Sequence, residues 1–239
     1  MSDVGIFDSE HYLAINVARW EAAAALIRTL PGPGLENAYD VGCGPGWFTE
    51  KLLELDVDVT GLEVRPELLA EARRRVPGAT FLEFNADHPL APQSFPAADL
   101  VFCFGLLYHL ENPFNAIRSL RALTRRFCLI ESIMVPEDQP IVWLVEESSN
   151  TNQGFTHFAL IPSRTALVKM LYAAGFEHVY EFQGEVGHPD FVESGMHYKR
   201  RRILLASHQA LALTGLTWLA EPNTPKYQHA KPHPTVSDA

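Results

Sequence analysis

The sequence predicts an α/β fold: a doubly wound, mostly parallel sheet of seven strands with an antiparallel strand near its C-terminal edge. Three observations carry this expectation. Between Ala38 and Ile130, short apolar runs alternate with segments of helical period, the pattern of parallel strands covered on both faces by crossover helices. A glycine cluster, Gly42-Cys43-Gly44-Pro45-Gly46, separates the first apolar run from the next helix. Finally, 239 residues of which 47% are hydrophobic and 20% charged suffice for one large core but would crowd two.

The elements follow in order. Asp8 or Ser9 caps a first helix whose apolar positions Leu13, Val17, Trp20, Ala24 and Ile27 recur at helical spacing, and Pro31-Gly32-Pro33-Gly34 ends it. Ala38 to Val41 forms the first strand, and a helix runs from about Trp47 to Leu55. Val57 to Leu62 alternates as the second strand, and Pro66 occupies the first turn of the next helix. Thr80 to Phe84, Leu100 to Phe104 and Phe127 to Ile130 complete the parallel set; Asn112-Pro113 starts the helix carrying Phe114, Ile117 and Leu120. From Trp143 to Phe158 no clean period is present, which predicts a loop or cap. Ser163 caps a helix bearing Leu167, Val168 and Leu171, with Gly175 as its stop. Strands around His178 to Phe182 and Arg202 to Ala206, with no helix between them, form an antiparallel closing pair. The expected organisation is a helix and lid over residues 1–34, a main domain over 35–220 with an insertion around 136–161, and a proline-rich loose tail over 221–239.

Charge narrows the partners. A net charge of -10, from 19 Lys+Arg against 29 Asp+Glu, argues against a surface built to grip phosphate backbones or anionic lipid. The Lys199-Arg200-Arg201-Arg202 run reads most simply as a solvated strand edge. The acidic opening MSDVGIFDSEH has no apolar core of a signal peptide, and Leu100 to Tyr108 is far shorter than the ~20 residues that span a bilayer. Cys43, Cys103 and Cys128 are an odd number and never form CxxC, so neither a disulfide framework nor a zinc site is expected. His157, His188 and His197 show no metal-binding spacing either. The expectation is a soluble cytoplasmic protein.

Three strand ends carry the candidate chemistry. In Tyr39-Asp40-Val41-Gly42-Cys43-Gly44-Pro45-Gly46 the glycines let a ligand approach the backbone at the carboxyl end of a strand, where open α/β sheets bind ligands. Glu63 ends the second strand at about the distance where dinucleotide folds place the acid that accepts from ribose hydroxyls. Asp87 follows the third strand in Phe84-Asn85-Ala86-Asp87, suited to accept from an adenine amino group. Each acid alone reads as a solvated loop residue; together they define one crevice.

From about Asp40 to Ile130 the chain resembles the class I S-adenosylmethionine-dependent methyltransferases, which implies their Rossmann-like fold and S-adenosylmethionine as cofactor, with S-adenosylhomocysteine as product. The resemblance places the cofactor on Tyr12, Asp40, Gly42, Cys43, Gly44, Gly46, Glu63, Val64, Ala86, Asp87, Phe104 and Gly105. The family more often has Asp where Glu63 stands. A nicotinamide-binding domain fits less well, because its GxGxxG fingerprint needs the third glycine one residue later. The block Asp99-Leu100-Val101-Phe102-Cys103-Phe104-Gly105-Leu106-Leu107-Tyr108-His109-Leu110, with Asn112-Pro113, is similar to the tRNA wobble-uridine carboxymethyltransferases and related bacterial enzymes. That narrower resemblance makes Tyr108 the counterpart of a tyrosine that contacts an extra carboxylate on the cofactor. The acidic balance favours a small-molecule or saccharide acceptor over nucleic acid.

A sulfonium methyl is already activated, so the protein has mainly to align the acceptor and exclude water. For a hydroxyl acceptor a base helps, and His109 is the first candidate, since it leaves the fourth strand beside the expected methyl position. Glu131, ending the fifth strand, is the second, and Tyr108 completes the expected catalytic set. Tyr12 and Trp20 on the first helix either cover the cofactor or pack in the core. Three functions remain open: methyl transfer to oxygen or nitrogen of a small molecule or saccharide, a tRNA-modifying (carboxy)methyltransferase, and a non-catalytic cofactor-binding protein.

Overall fold

The computed structural model describes residues 4–91, 95–193 and 200–225. A short 3-10 turn, Val4–Asp8, leads into α1 (Glu10–Ile27), whose start is capped by Ser9, with its hydroxyl accepting from the Tyr12 amide. The parallel unit follows: β1 (Asn37–Val41), α2 (Trp47–Leu53), β2 (Asp58–Glu63), α3 (Pro66–Arg75), β3 (Thr80–Glu83), β4 (Ala98–Phe104), α4 (Pro113–Leu123) and β5 (Thr124–Ile133). Then come β6 (Val142–Glu146), β7 (Phe158–Pro162), α5 (Arg164–Ala173), β8 (His178–Phe182), β9 (Arg201–Ser207) and β10 (Leu216–Leu219).

The large sheet has the order β10-β8-β9-β5-β4-β1-β2-β3. β1 to β5 are parallel; β9 runs antiparallel to both β5 and β8, and β10 antiparallel to β8. The order reverses between β1 and β4, which opens a crevice at their carboxyl ends. Apolar side chains on the two faces explain the layers. Ile15, Ala22, Leu26 and Phe48 pack on Phe102, Leu129 and Leu205 on one side, while Ile117, Leu120, Leu167 and Leu171 pack on Val101, Cys128 and Leu204 on the other. Leu100, Val101, Phe102 and Cys103 are all fully buried, as a central strand covered on both faces demands.

The predicted doubly wound sheet is present, with one strand more than the seven expected. Leu216–Leu219 adds to β8 as an exposed edge, where Trp218 remains 58% exposed, so this short run carries no buried-strand signature. The segment read as an unpatterned cap contains a two-stranded antiparallel sheet, β6 with β7. Its apolar run failed to alternate because Trp143 and Leu144 both lie open to solvent. Val17 also departs from expectation: it shares the periodicity of α1 yet is exposed. Residues 226–239 of the expected tail lie outside the described residues, as do His197 and Lys199. Among the described residues no helix is long and apolar enough to cross a membrane.

Candidate active site

The glycine turn is held from beneath by the neighbouring strand. Gly42 and Cys43 amides both donate to the Leu62 carbonyl, at 2.8 and 3.1 Å. Gly42 has φ +76°, and a Cβ there would lie 3.0 Å from the Leu106 side chain, so both conformation and space demand glycine. The Gly44 amide donates to Glu63 Oε2 at 3.1 Å, and Glu63 Oε1 accepts from the Val64 and Arg65 amides. Burial raises the Glu63 pKa, although these backbone bonds oppose the shift. Oε2, with a single donor, has capacity for another, which suits a sugar hydroxyl.

Asp40 and Gly46 support the turn from below without lining the crevice. The Thr49 hydroxyl donates to Asp40 Oδ2 at 2.6 Å, and Asp40 is buried among apolar strands. That burial pushes its pKa up to about 7 against the bond from Thr49. This bond ties β1 to α2, and the expected cofactor residue Asp40 is not among the residues that line the crevice. Gly46 starts α2, its amide donating to the Cys43 carbonyl.

The crevice has three connected parts. One is lined by Phe7, Tyr12, Cys43, Gly44, Glu63, Phe104 and Gly105. A second is lined by Val64, Phe84, Asn85, Ala86, Asp87 and Leu106. Asp87 Oδ1 accepts from the Asn112 amide, joining the loops after β3 and β4, and burial raises the Asp87 pKa. The third is a cavity of about 260 Å³ lined by His11, Tyr12, Arg19, Gly105, Tyr108, Glu147 and Arg201. Burial pushes the Tyr12 hydroxyl up to about 12, so it stays a neutral donor at the boundary between the first and third parts. His109 alone among the described residues lines all three.

His109 Nδ1 lies 2.6 Å from Glu147 Oε1, while Glu147 Oε2 accepts from the Gly154 amide at 2.7 Å. Burial acts to raise the Glu147 pKa, but the His109 bond and charge outweigh it and the net shift is downward. An ionised Glu147 accepts only, which assigns the ring proton to Nδ1 and leaves Nε2 as the basic atom. Glu147 was not legible in the sequence, because it sits in the unpatterned stretch after β6.

Glu131 does not reach the crevice. It is fully buried, with Oε1 3.0 Å from Arg201 Nη1 and Oε2 3.1 Å from Arg19 Nη2, so guanidinium groups occupy both of the oxygens a base would need. The basic run also departs from its reading as a solvated edge. Arg201 is 9% exposed and bonded to Tyr108 Oη, Glu131 and Asp190, Arg202 pairs with Glu181, and Arg200 with Asp190. Trp20 packs edge-on to Phe102 in the core.

Two straps close the crevice. Arg65 donates to the Thr151 and Gln153 carbonyls at 2.9 and 2.8 Å, pinning the loop between β6 and β7. Arg75 makes a paired bond to Asp8 at 2.7 and 2.8 Å, pinning the first turn, which places Phe7 beside Gly44.

A strand-order reversal, a glycine turn and acids at the next two strand ends define the cofactor half of a Rossmann-like methyltransferase. Residues 39–126 match the family model described as a methyltransferase domain. The chain is 33% identical over 135 residues to a trans-aconitate 2-methyltransferase of Methylobacterium nodulans, covering 55% of this chain and 50% of that one. It is 26% identical over 156 residues to a malonyl-[acyl-carrier protein] O-methyltransferase of Enterobacter lignolyticus, covering 63% and 61%. The chain thus spans about half the length of the first of these curated relatives. Among solved structures, the N-terminal domain of EvdMO1 with S-adenosylhomocysteine bound superposes with a TM-score of 0.66 at 17% identity, over 84% of this chain and 85% of that one, a likeness of fold.

Proposed function

We propose that the protein transfers a methyl group from S-adenosylmethionine to oxygen or nitrogen of a small-molecule acceptor, with His109 as the base. The observation that carries this is the His109–Glu147 pair where the glycine-turn crevice meets the third cavity. The crevice suits the cofactor: Glu63 Oε2 has room for a ribose hydroxyl, Gly42 leaves the backbone open, and Val64, Phe84, Ala86 and Leu106 give its second part an apolar lining with Asp87 among them. When bound, S-adenosylmethionine supplies an activated methyl whose departure leaves the bonding electron pair on sulfur as a neutral thioether. Glu147 fixes the imidazole tautomer so that Nε2 accepts the acceptor's proton, giving an imidazolium that the same carboxylate stabilises. Tyr12 and the two straps exclude water from that point. We further read residues 1–34 and the loop after β6 as the covering elements of the site. The acceptors that name these relatives, trans-aconitate and malonyl-[acyl-carrier protein], support an acceptor other than nucleic acid, as does the charge of -10.

Calorimetric titration with S-adenosylhomocysteine tests the reading. Saturable binding in the micromolar range, weakened at least about tenfold by Glu63→Ala, is expected; no binding up to about 1 mM contradicts it.

A further inference from the structure

The wall of the third cavity divides into a charged part and a hydrocarbon part. Its ionic side chains are already paired: Arg19 and Arg201 with the buried Glu131, Arg201 also with Asp190, and Glu147 with His109. The hydrocarbon part is made by three isoleucines, Ile15 from α1, Ile133 from β5 and Ile161 from β7.

Ile161 connects this wall to the surface. In the β6–β7 ladder it lies directly opposite Trp143, and residues paired in this way project from the same face, with Cβ atoms about 5 Å apart. Alternation carries that face from Trp143 through Val145 to Glu147, whose amide continues the ladder by donating to the His157 carbonyl at 2.7 Å. Ile161 and Glu147 both line the cavity. Trp143 is thus the outer end of a face whose inner end holds His109, and the two ends lie about 14 Å apart along the strand.

Trp143 nevertheless stays 47% exposed. A large ring left open at the rim of a reaction cavity is what a ligand-binding groove presents. The neighbouring apolar side chains do not share this position, because Leu144 and Phe158 alternate onto the opposite face of the hairpin.

We propose that the methyl acceptor carries an alkyl chain of about eight to ten carbons, which runs from the reacting atom at His109 past Val145 and Ile161 and ends against Trp143. This rests on the methyltransferase reading and names the substrate class of that site. The strip is one side chain wide on each strand, a width that a single chain fills.

The test is titration calorimetry of 1-alkanols, from hexanol to decanol, on protein saturated with S-adenosylhomocysteine. Affinity should rise about two- to fourfold with each added methylene, as burial of the chain requires. Trp143→Ser should weaken decanol at least about tenfold and leave hexanol, too short to reach the ring, within about twofold. Leu144→Ser, on the opposite face, should change neither. Both substitutions replace exposed side chains, and S-adenosylhomocysteine affinity within about twofold of the parent shows that each variant is folded. The proposal is overturned if affinity does not rise beyond hexanol, if Trp143→Ser leaves decanol unchanged, or if Leu144→Ser weakens decanol as much as Trp143→Ser does. Failure of S-adenosylhomocysteine to bind the parent protein would overturn the methyltransferase reading and this proposal with it, whereas failure of the alkanols alone overturns only the proposal.

Discussion

The half of the molecule from β1 to β5 and the parts that cover it are built by different means. In the first, backbone does the positioning: Gly42 and Cys43 amides hang from Leu62, and Glu63 is gripped by three amides. In the cover, side chains do it: Arg65 holds the 147–157 loop by two carbonyls, Arg75 holds the first turn through Asp8, and Glu147 reaches His109 across 38 residues. Backbone-built sites need glycines and strand ends at fixed spacing. Side-chain clamps need only one long residue, wherever the chain happens to pass.

The largest effect is expected at Gly42. Gly42→Val forces a branched residue to φ +76° against Leu106, and we expect S-adenosylhomocysteine affinity to fall at least about a hundredfold by calorimetry. A similar loss from cutting a strap would mean that the cover, not the turn, makes the site. The next effect falls on turnover: His109→Ala should lower kcat by about 10²–10⁴ with cofactor affinity nearly unchanged, and Glu147→Gln by a smaller factor, read by steady-state methyl transfer. Full activity in His109→Ala would remove its role as base. Arg65→Met should free the 147–157 loop, weakening S-adenosylhomocysteine about tenfold and speeding amide exchange at Thr151 and Gln153, while the unfolding midpoint barely moves.

A pH experiment sharpens the backbone-built side. Asp40 has its pKa raised by burial to about 7 from 3.8, so its folded form favours the protonated acid. That contribution to stability is whole below about pH 4 and is lost as pH rises through about 7. Asp40→Asn keeps a partner for Thr49 and cannot ionise, so its stability relative to the parent should climb between pH 4 and 7 by up to about 4 kcal/mol, then level off. Denaturant unfolding at pH 4.5 and 8 measures it. An equal difference at both values would show that Asp40 ionises freely.

Legibility in the sequence divides along the same line. The glycine turn, Glu63, Asp87 and the alternation from Ala38 to Ile130 stand out because their chemistry is tied to periodicity and to local backbone geometry. His109 stood out through its place at a strand exit. Glu147 did not, since the strand before it exposes Trp143 and Leu144 and so shows no alternation. Arg201 was hidden in a run of like charges: only the register of β9 against β5, which pairs Arg201 with Ile133, sends it inward toward Glu131. Glu131 looked available as a base because a strand end is where such groups lie, but the arginines that occupy it come from residues 112 positions earlier and 70 later.

A crystal structure of the S-adenosylhomocysteine complex would show how the cofactor meets His109. Ribose hydroxyls are expected on Glu63, adenine between Ala86 and Leu106, and a sulfur turned toward His109 and Gly105, opening onto the cavity of Arg19 and Tyr108. A sulfur facing away from that cavity, or a ribose held elsewhere than on Glu63, would contradict it.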